Sequence, residues 1–200
     1  RMGNLSVRTP KPLISVAGKP IIEHKILQYI EKGFQEFIVC VGYKGDLIRD
    51  ALLRYQDRCT IHYSDAGEDA GILERLRNAA PLFDQDVLMT YGDTYADIDL
   101  VDFVRTHKSS DNHSTIVVTP VENPFGLVEF DGRKKVTLFK EKPILNYYIG
   151  YAVINKTALS IIPESVFVMP NGDGLVTFYK ILMGMSSLGA YYHTGLQITF

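Results

Sequence analysis

Tryptophan is absent from this 200-residue sequence, cysteine occurs twice, and neither sign of charge dominates: 21 Lys and Arg stand against 23 Asp and Glu. With a net charge of −2, bulk electrostatics do not point to nucleic acid or an anionic membrane as a partner. No apolar run reaches the roughly 20 residues of a membrane-spanning helix. Cys40 and Cys59 have neither Cys-x-x-Cys nor metal-ligand spacing, which argues against a zinc site or a redox pair. Two buried, reduced thiols in a cytoplasmic protein are expected instead. His24, His62, His107, His113 and His193 share no spacing that would build a metal cluster, and no nucleophile elbow accompanies them. The hydrophobic fraction, 46%, is enough for one substantial core in a chain of this length.

Periodicity organises the first 120 residues into alternating strands and helices. Strands are predicted at 13–16, 37–41, 60–63, 87–91 and 115–120. Helices are predicted at 21–33, 46–55, 70–82 and 100–107, with Ile21, Ile22, Ile26, Leu27 and Ile30 forming the inward stripe of the first. This alternation predicts a three-layer α/β/α domain of Rossmann-like type, with a mixed, mostly parallel sheet covered on both faces. After Pro120 the texture changes. Runs at 125–130, 136–140 and 148–154, punctuated by turns such as Asp131-Gly132, predict a small antiparallel extension. Helices at 156–162 and 174–185 and a strand at 190–193 complete a single domain.

The segment from Thr90 to Asp99 carries most of the chemistry. The apolar run 87–89 ends at Tyr91-Gly92-Asp93. A carboxylate at the carboxyl end of an α/β strand stands where such sheets bind ligands. Asp97 and Asp99 add charge, so the region suits a hard divalent cation and a phosphate chain. A second candidate is Lys11. Pro10 and Pro12 flank it, and their fixed φ values stiffen the backbone that presents the ammonium. A solvated lysine in a Pro-rich turn is the alternative reading of that residue. Likewise, Glu141-Lys142-Pro143 read alone is a charged strand end. Asp65, Glu68 and Asp69 read as acids preceding a helix, with Asp69 as its cap.

Arg1-x-Gly3-x-Leu5, then Thr9-Pro10-Lys11-Pro12-Leu13 and Gly18-Lys19-Pro20, resemble the amino-terminal signature of the sugar-1-phosphate nucleotidyltransferases. Tyr91-Gly92-Asp93 resembles that family's Gly-Asp metal motif. Phe125-Gly126-Leu127-Val128 resembles its sugar-pocket strand, and Phe139-Lys140-Glu141-Lys142-Pro143 its Glu-Lys-Pro motif. The stretch from Asn146 to Ile154, with Gly150, resembles its Asn-x-Gly-x-Tyr strand. Five weak motifs in the right order make the resemblance specific over nearly the whole chain. The texture around Asp93 is most similar to the glucose-1-phosphate cytidylyltransferase branch.

The resemblance implies transfer of a nucleoside monophosphate from an NTP, CTP by preference, to a small phosphorylated acceptor, with release of pyrophosphate. It implies Mg²⁺ on Asp93, and Arg1 and Lys11 on the NTP phosphates. Lys142 would hold the acceptor phosphate, and Glu141, Gly126 and Gly150 would line the acceptor pocket. Ala70 and Gly71 would let the base approach the backbone, and Gly92 would also contact substrate. A homo-oligomer is also expected. Alternatives are another base, or a non-catalytic nucleotide-sugar-binding domain. Three departures stand out. The family's first strand and Gly-rich loop are expected ahead of Arg1. Its second metal-binding Asp has no counterpart in Gly195–Phe200 and is absent or lies beyond it. Its sugar-contacting Glu is replaced by the region of Asp173, which substitutes for it or caps a helix.

Overall fold

A computed structural model describes residues 9–170 and 172–199. The main sheet has four strands in the order β11-β7-β10-β5, formed by β5 (Asp86–Thr90), β7 (Ser114–Glu122), β10 (Ile144–Asn155) and β11 (Leu188–Tyr192). β11 pairs parallel with β7, whereas β10 pairs antiparallel with both β7 and β5. Three strands therefore share a direction and β10 alone opposes them, because it returns from the antiparallel arm that follows β7. A separate parallel pair is made by β3 (Glu36–Val41) and β4 (Thr60–Asp65).

The alternation along β10 shows how the layers form. Tyr151 and Val153 enter one buried cluster with Tyr29, Leu100 and Phe103, which come from α1 (Ile21–Glu31) and α4 (Leu100–Lys108). Ala152 and Ile154 enter the opposite cluster with Leu73, Val166 and Phe178. Those residues belong to α3 (Ile72–Ala79), α6 (Glu164–Phe167) and α7 (Asp173–Gly184). A two-residue strand period thus feeds helices on both faces, giving the three-layer arrangement. A third cluster joins Ile26 of α1 to Val41 of β3 and to Ile48 and Leu52 of α2 (Gly45–Leu52). α5 (Lys156–Ser160) follows β10 directly, capped by the Asn155 side chain on Thr157 N.

Among the described residues nothing pairs with the facing sides of β3 and β5. A cavity of about 840 Å³ lies between them. Its lining includes consecutive residues of both strands, Glu36 to Cys40 and Asp86 to Thr90. Consecutive lining means that the cavity meets strand edges, not one face of each strand. The edge exposure changes one expectation: Cys59 is buried, but Cys40 is exposed.

Several boundaries also move. The strand expected at 13–16 is a 3₁₀ turn at Lys11–Leu13 followed by β1 (Ser15–Val16), which pairs with β2 (Lys19–Pro20). Pro10 and Pro12 hold the backbone near the helical φ, and Leu13 N donates to Pro10 O at 2.9 Å. Like β2, the short strands β6 (Thr94–Ala96) and β12 (Gln197–Thr199), which pair antiparallel, escaped the periodicity reading. The arm consists of β8 (Leu127–Phe130) and β9 (Val136–Lys140), whose side chains stay largely exposed, Phe125 and Phe139 among the neighbouring aromatics.

Candidate active site

The site is built on the turn that links β5 to β6. Asp93 leaves that turn with its carboxylate 3.1 Å from Lys11 Nζ, across 82 positions of sequence. Packing explains the meeting. Gly92 has no side chain, and a Cβ there would lie 3.0 Å from the ring of Pro12. The proline beside Lys11 therefore rests on the glycine beside Asp93, and the two charged residues come together as neighbours of that contact. Lys11 stands half exposed, so the pair is open to an incoming anion. Arg1 lies outside the described residues.

Behind the turn sit aromatic rings. Gly150 occupies the irregularity in the β10–β7 register between Tyr148 and Ala152, with φ of +80°. A Cβ at Gly150 would come within 2.6 Å of the Tyr91 ring. Tyr91 N donates to Gly150 O at 3.0 Å. The structure thus places Gly150 beneath the Asp93 turn as the space for Tyr91. Tyr91 packs edge-on to Tyr148, whose hydroxyl is 3.2 Å from that of Tyr179. Burial raises all three phenols, so they stay protonated at neutral pH.

Sequence reasoning missed Lys25. It is 3% exposed and lies on the face of α1 that carries Ile22, Ile26 and Tyr29. Its Nζ donates to Thr90 Oγ1 and Tyr91 O, both at 2.7 Å, and to Thr94 O. Burial pulls its pKa down to about 7, a shift partly opposed by the Asp93 carboxylate. The available signal was a lysine inside an apolar stripe at i, i+3, i+4, i+7 spacing.

Arg75 was missed in the same way. Its guanidinium donates to Val41 O at 2.6 Å, Gly67 O at 2.8 Å, and Ala70 O and Glu68 O at 3.0 Å. It thereby organises the loop between β4 and α3 that contains Ala70 and Gly71. Gly71 is the N-cap of α3, and no side chain caps that helix. Asp69 therefore does not cap it. Asp65 instead turns its own loop, accepting from Gly67 N at 2.9 Å.

Asp97 and Asp99 do not join Asp93. Asp97 lies 3.2 Å from His193 Nε2, and Asp99 caps α4 by accepting from Asp102 N. Among the described residues no three His, Cys, Asp or Glu side chains converge as a metal cage. Mg²⁺ is commonly held by one or two carboxylates, with substrate phosphates and water completing its octahedron. The single Asp93 carboxylate fits an ion that arrives with a phosphate chain. β12 also runs towards this point, since Thr199 pairs with Thr94.

On the arm, Gly126 and Glu141 are brought together. A Cβ on Gly126 would lie 3.5 Å from Glu141 Oε2 and 3.3 Å from the Phe139 ring. Lys142 takes φ of +40°, an uncommon backbone state for a side chain of this size. Both residues are exposed, and neither bonds to another described side chain. Asp173 is the first residue of α7 and makes no capping bond.

A three-layer α/β domain that sets a carboxylate and a lysine together at the carboxyl end of a strand has its charged pair where open α/β sheets bind ligands. The chain belongs to the nucleotidyl transferase family, whose profile matches residues 1–158. It is 27% identical over 191 residues to the glucose-1-phosphate cytidylyltransferase of Salmonella typhi, covering 81% of this chain and 73% of that protein. It is 29% identical over 153 residues to the mannose-1-phosphate guanyltransferase of Gibberella zeae, covering 72% of this chain and 42% of that one. The fold is that of HddC from Yersinia pseudotuberculosis, with a TM-score of 0.72 at 21% identity over 96% of this chain and 84% of that structure. The chain is accordingly a nucleotidyltransferase. No helix among the described residues is long and apolar enough to cross a membrane.

Proposed function

We propose that this chain transfers a nucleoside monophosphate from an NTP, CTP by preference, to a sugar 1-phosphate and releases pyrophosphate. The observation that carries this reading is the Lys11–Asp93 pair at 3.1 Å, held by the seating of Pro12 on Gly92. An ammonium and a carboxylate side by side support a reading in which Lys11 meets phosphate and Asp93 a metal ion.

A phosphate oxygen of the acceptor attacks the α-phosphorus. A new P–O bond forms as the bond to the β-phosphate oxygen breaks, and pyrophosphate carries the electron pair away. The acceptor phosphate is already anionic near neutral pH, so no general base is needed. Positioning and charge neutralisation then supply most of the acceleration. Lys11, with Arg1, neutralises the departing pyrophosphate. Lys142 holds the acceptor phosphate, and Glu141 accepts hydrogen bonds from its hydroxyls beside Gly126. Mg²⁺ on Asp93 would supply further charge compensation to the phosphate oxygens.

The CTP preference is supported by the cytidylyltransferase relative, and GTP is the second choice on the guanyltransferase relative. Pyrophosphate release measured across the four NTPs and a panel of sugar 1-phosphates tests the proposal. Release with CTP and one hexose 1-phosphate is the expected result. Silence with every pair, while nucleotide still binds, would remove the transferase reading.

A further inference from the structure

Three backbone or side-chain oxygens close to the Asp93 turn point away from solvent and onto one atom. Thr90 is the last residue of β5 and Thr94 the first of β6. Between them lie only Tyr91, Gly92 and Asp93. Lys25 Nζ reaches Thr90 Oγ1 and Tyr91 O at 2.7 Å, and also Thr94 O. One amine from α1 thus ties both ends of a three-residue turn. Tyr151 supports the far end: its hydroxyl donates to Thr94 O at 3.2 Å and accepts from Ala96 N at 3.1 Å. The Lys25 amine also lies 4.8 Å from the centre of the Tyr151 ring.

We infer that Lys25 is a positioning residue whose contacts with Thr90 Oγ1, Tyr91 O and Thr94 O hold the Thr90–Thr94 turn in the shape that presents Asp93. The physical grounds are the acceptors. The Tyr91 and Thr94 carbonyls face the protein interior beside an apolar helix face. An apolar residue at position 25 would leave them without this partner, and a buried acceptor left unsatisfied is unfavourable. The turn would then reorient to find water, and Asp93 would move with it. Lys11 cannot take over this role, since it contacts the Asp93 carboxylate from the exposed side. The consequence for turnover rests on the proposed transferase reading, but the consequence for the turn does not.

The test is amide hydrogen exchange in the whole chain, comparing wild type with Lys25→Met and Lys25→Arg. Exchange at residues 91–95 should quicken at least about tenfold in Lys25→Met, while the amides shared by β7 and β10 change little, as for a local opening. Lys25→Arg should restore much of the protection, because the adjoining cavity leaves room for a guanidinium. Thr90→Val removes one acceptor while keeping the amine, and should give a smaller effect at the same amides. It keeps the inference testable if Lys25→Met does not fold. Unchanged exchange at 91–95, or an equal rise throughout the chain, would overturn the positioning role. In turnover, kcat should fall in Lys25→Met by more than the NTP KM rises, with partial rescue by arginine. Failure of the wild type to release pyrophosphate would count against the transferase reading alone, leaving exchange to decide the role of Lys25.

Discussion

At the residue scale, Lys25 has a consequence beyond the turn it holds. Burial holds its pKa at about 7 in the folded chain against 10.5 for an exposed lysine. Between those values the unfolded chain binds a proton that the folded chain has released. Stability therefore rises with pH in that window, and the burial penalty is fully present below pH 7. Relative to Lys25→Met, the wild type should gain roughly 1 kcal/mol per pH unit from pH 7 to 9, as read from urea melts. Asp93 is different, because its ion pair is open to solvent. Asp93→Ala should change stability by less than about 1 kcal/mol while abolishing pyrophosphate release. Wild-type rates in that variant would remove the site assignment.

At the scale of elements, the β10 bulge and the Asp93 turn form one mechanical unit. Gly150→Ala introduces a Cβ 2.6 Å from the Tyr91 ring at a φ of +80°. Overpacking and backbone strain act together there, and a loss of roughly 2–4 kcal/mol in thermal or urea melts is expected. An unchanged melt would mean that Tyr91 moves freely and does not support the turn. The α4 cap gives a smaller expectation: Asp99→Ala should cost about 1 kcal/mol through loss of the bond from Asp102 N. Strands such as β9 were legible because their runs are long and bounded by turn residues. β6 and β12, at three residues each, carry too little pattern to be seen, and their pairing depends on contact across about a hundred positions.

For the whole molecule, pairing on both sides should govern protection. β7 and β10 each have two neighbours in the sheet, whereas β3 and β5 each have one among the described residues. Native-state hydrogen exchange should therefore be slowest in β7 and β10 and faster along the cavity-facing edges of β3 and β5. Equal protection across all four strands would show that the cavity edges are satisfied in solution. The two cores that sandwich β10 meet different helices, so truncation should be costly on either face. Phe103→Ala and Phe178→Ala remove fully buried rings, each with an expected loss of about 3–5 kcal/mol.

The sequence alone determined the alternation of strands and helices, the antiparallel arm and the placement of Asp93 at a strand end. Those features follow from local periodicity and from motifs a few residues long. It also pointed to Lys11, because two prolines mark that residue. Only the tertiary structure decided that Lys11 meets Asp93, that Asp97 and Asp99 turn to His193 and to a helix cap, and that Lys25 and Arg75 bind carbonyls of site loops. A charged residue in an apolar stripe announces an unusual environment. Its partners are backbone oxygens, which every residue carries and no residue type reveals, so only the packed chain can name them.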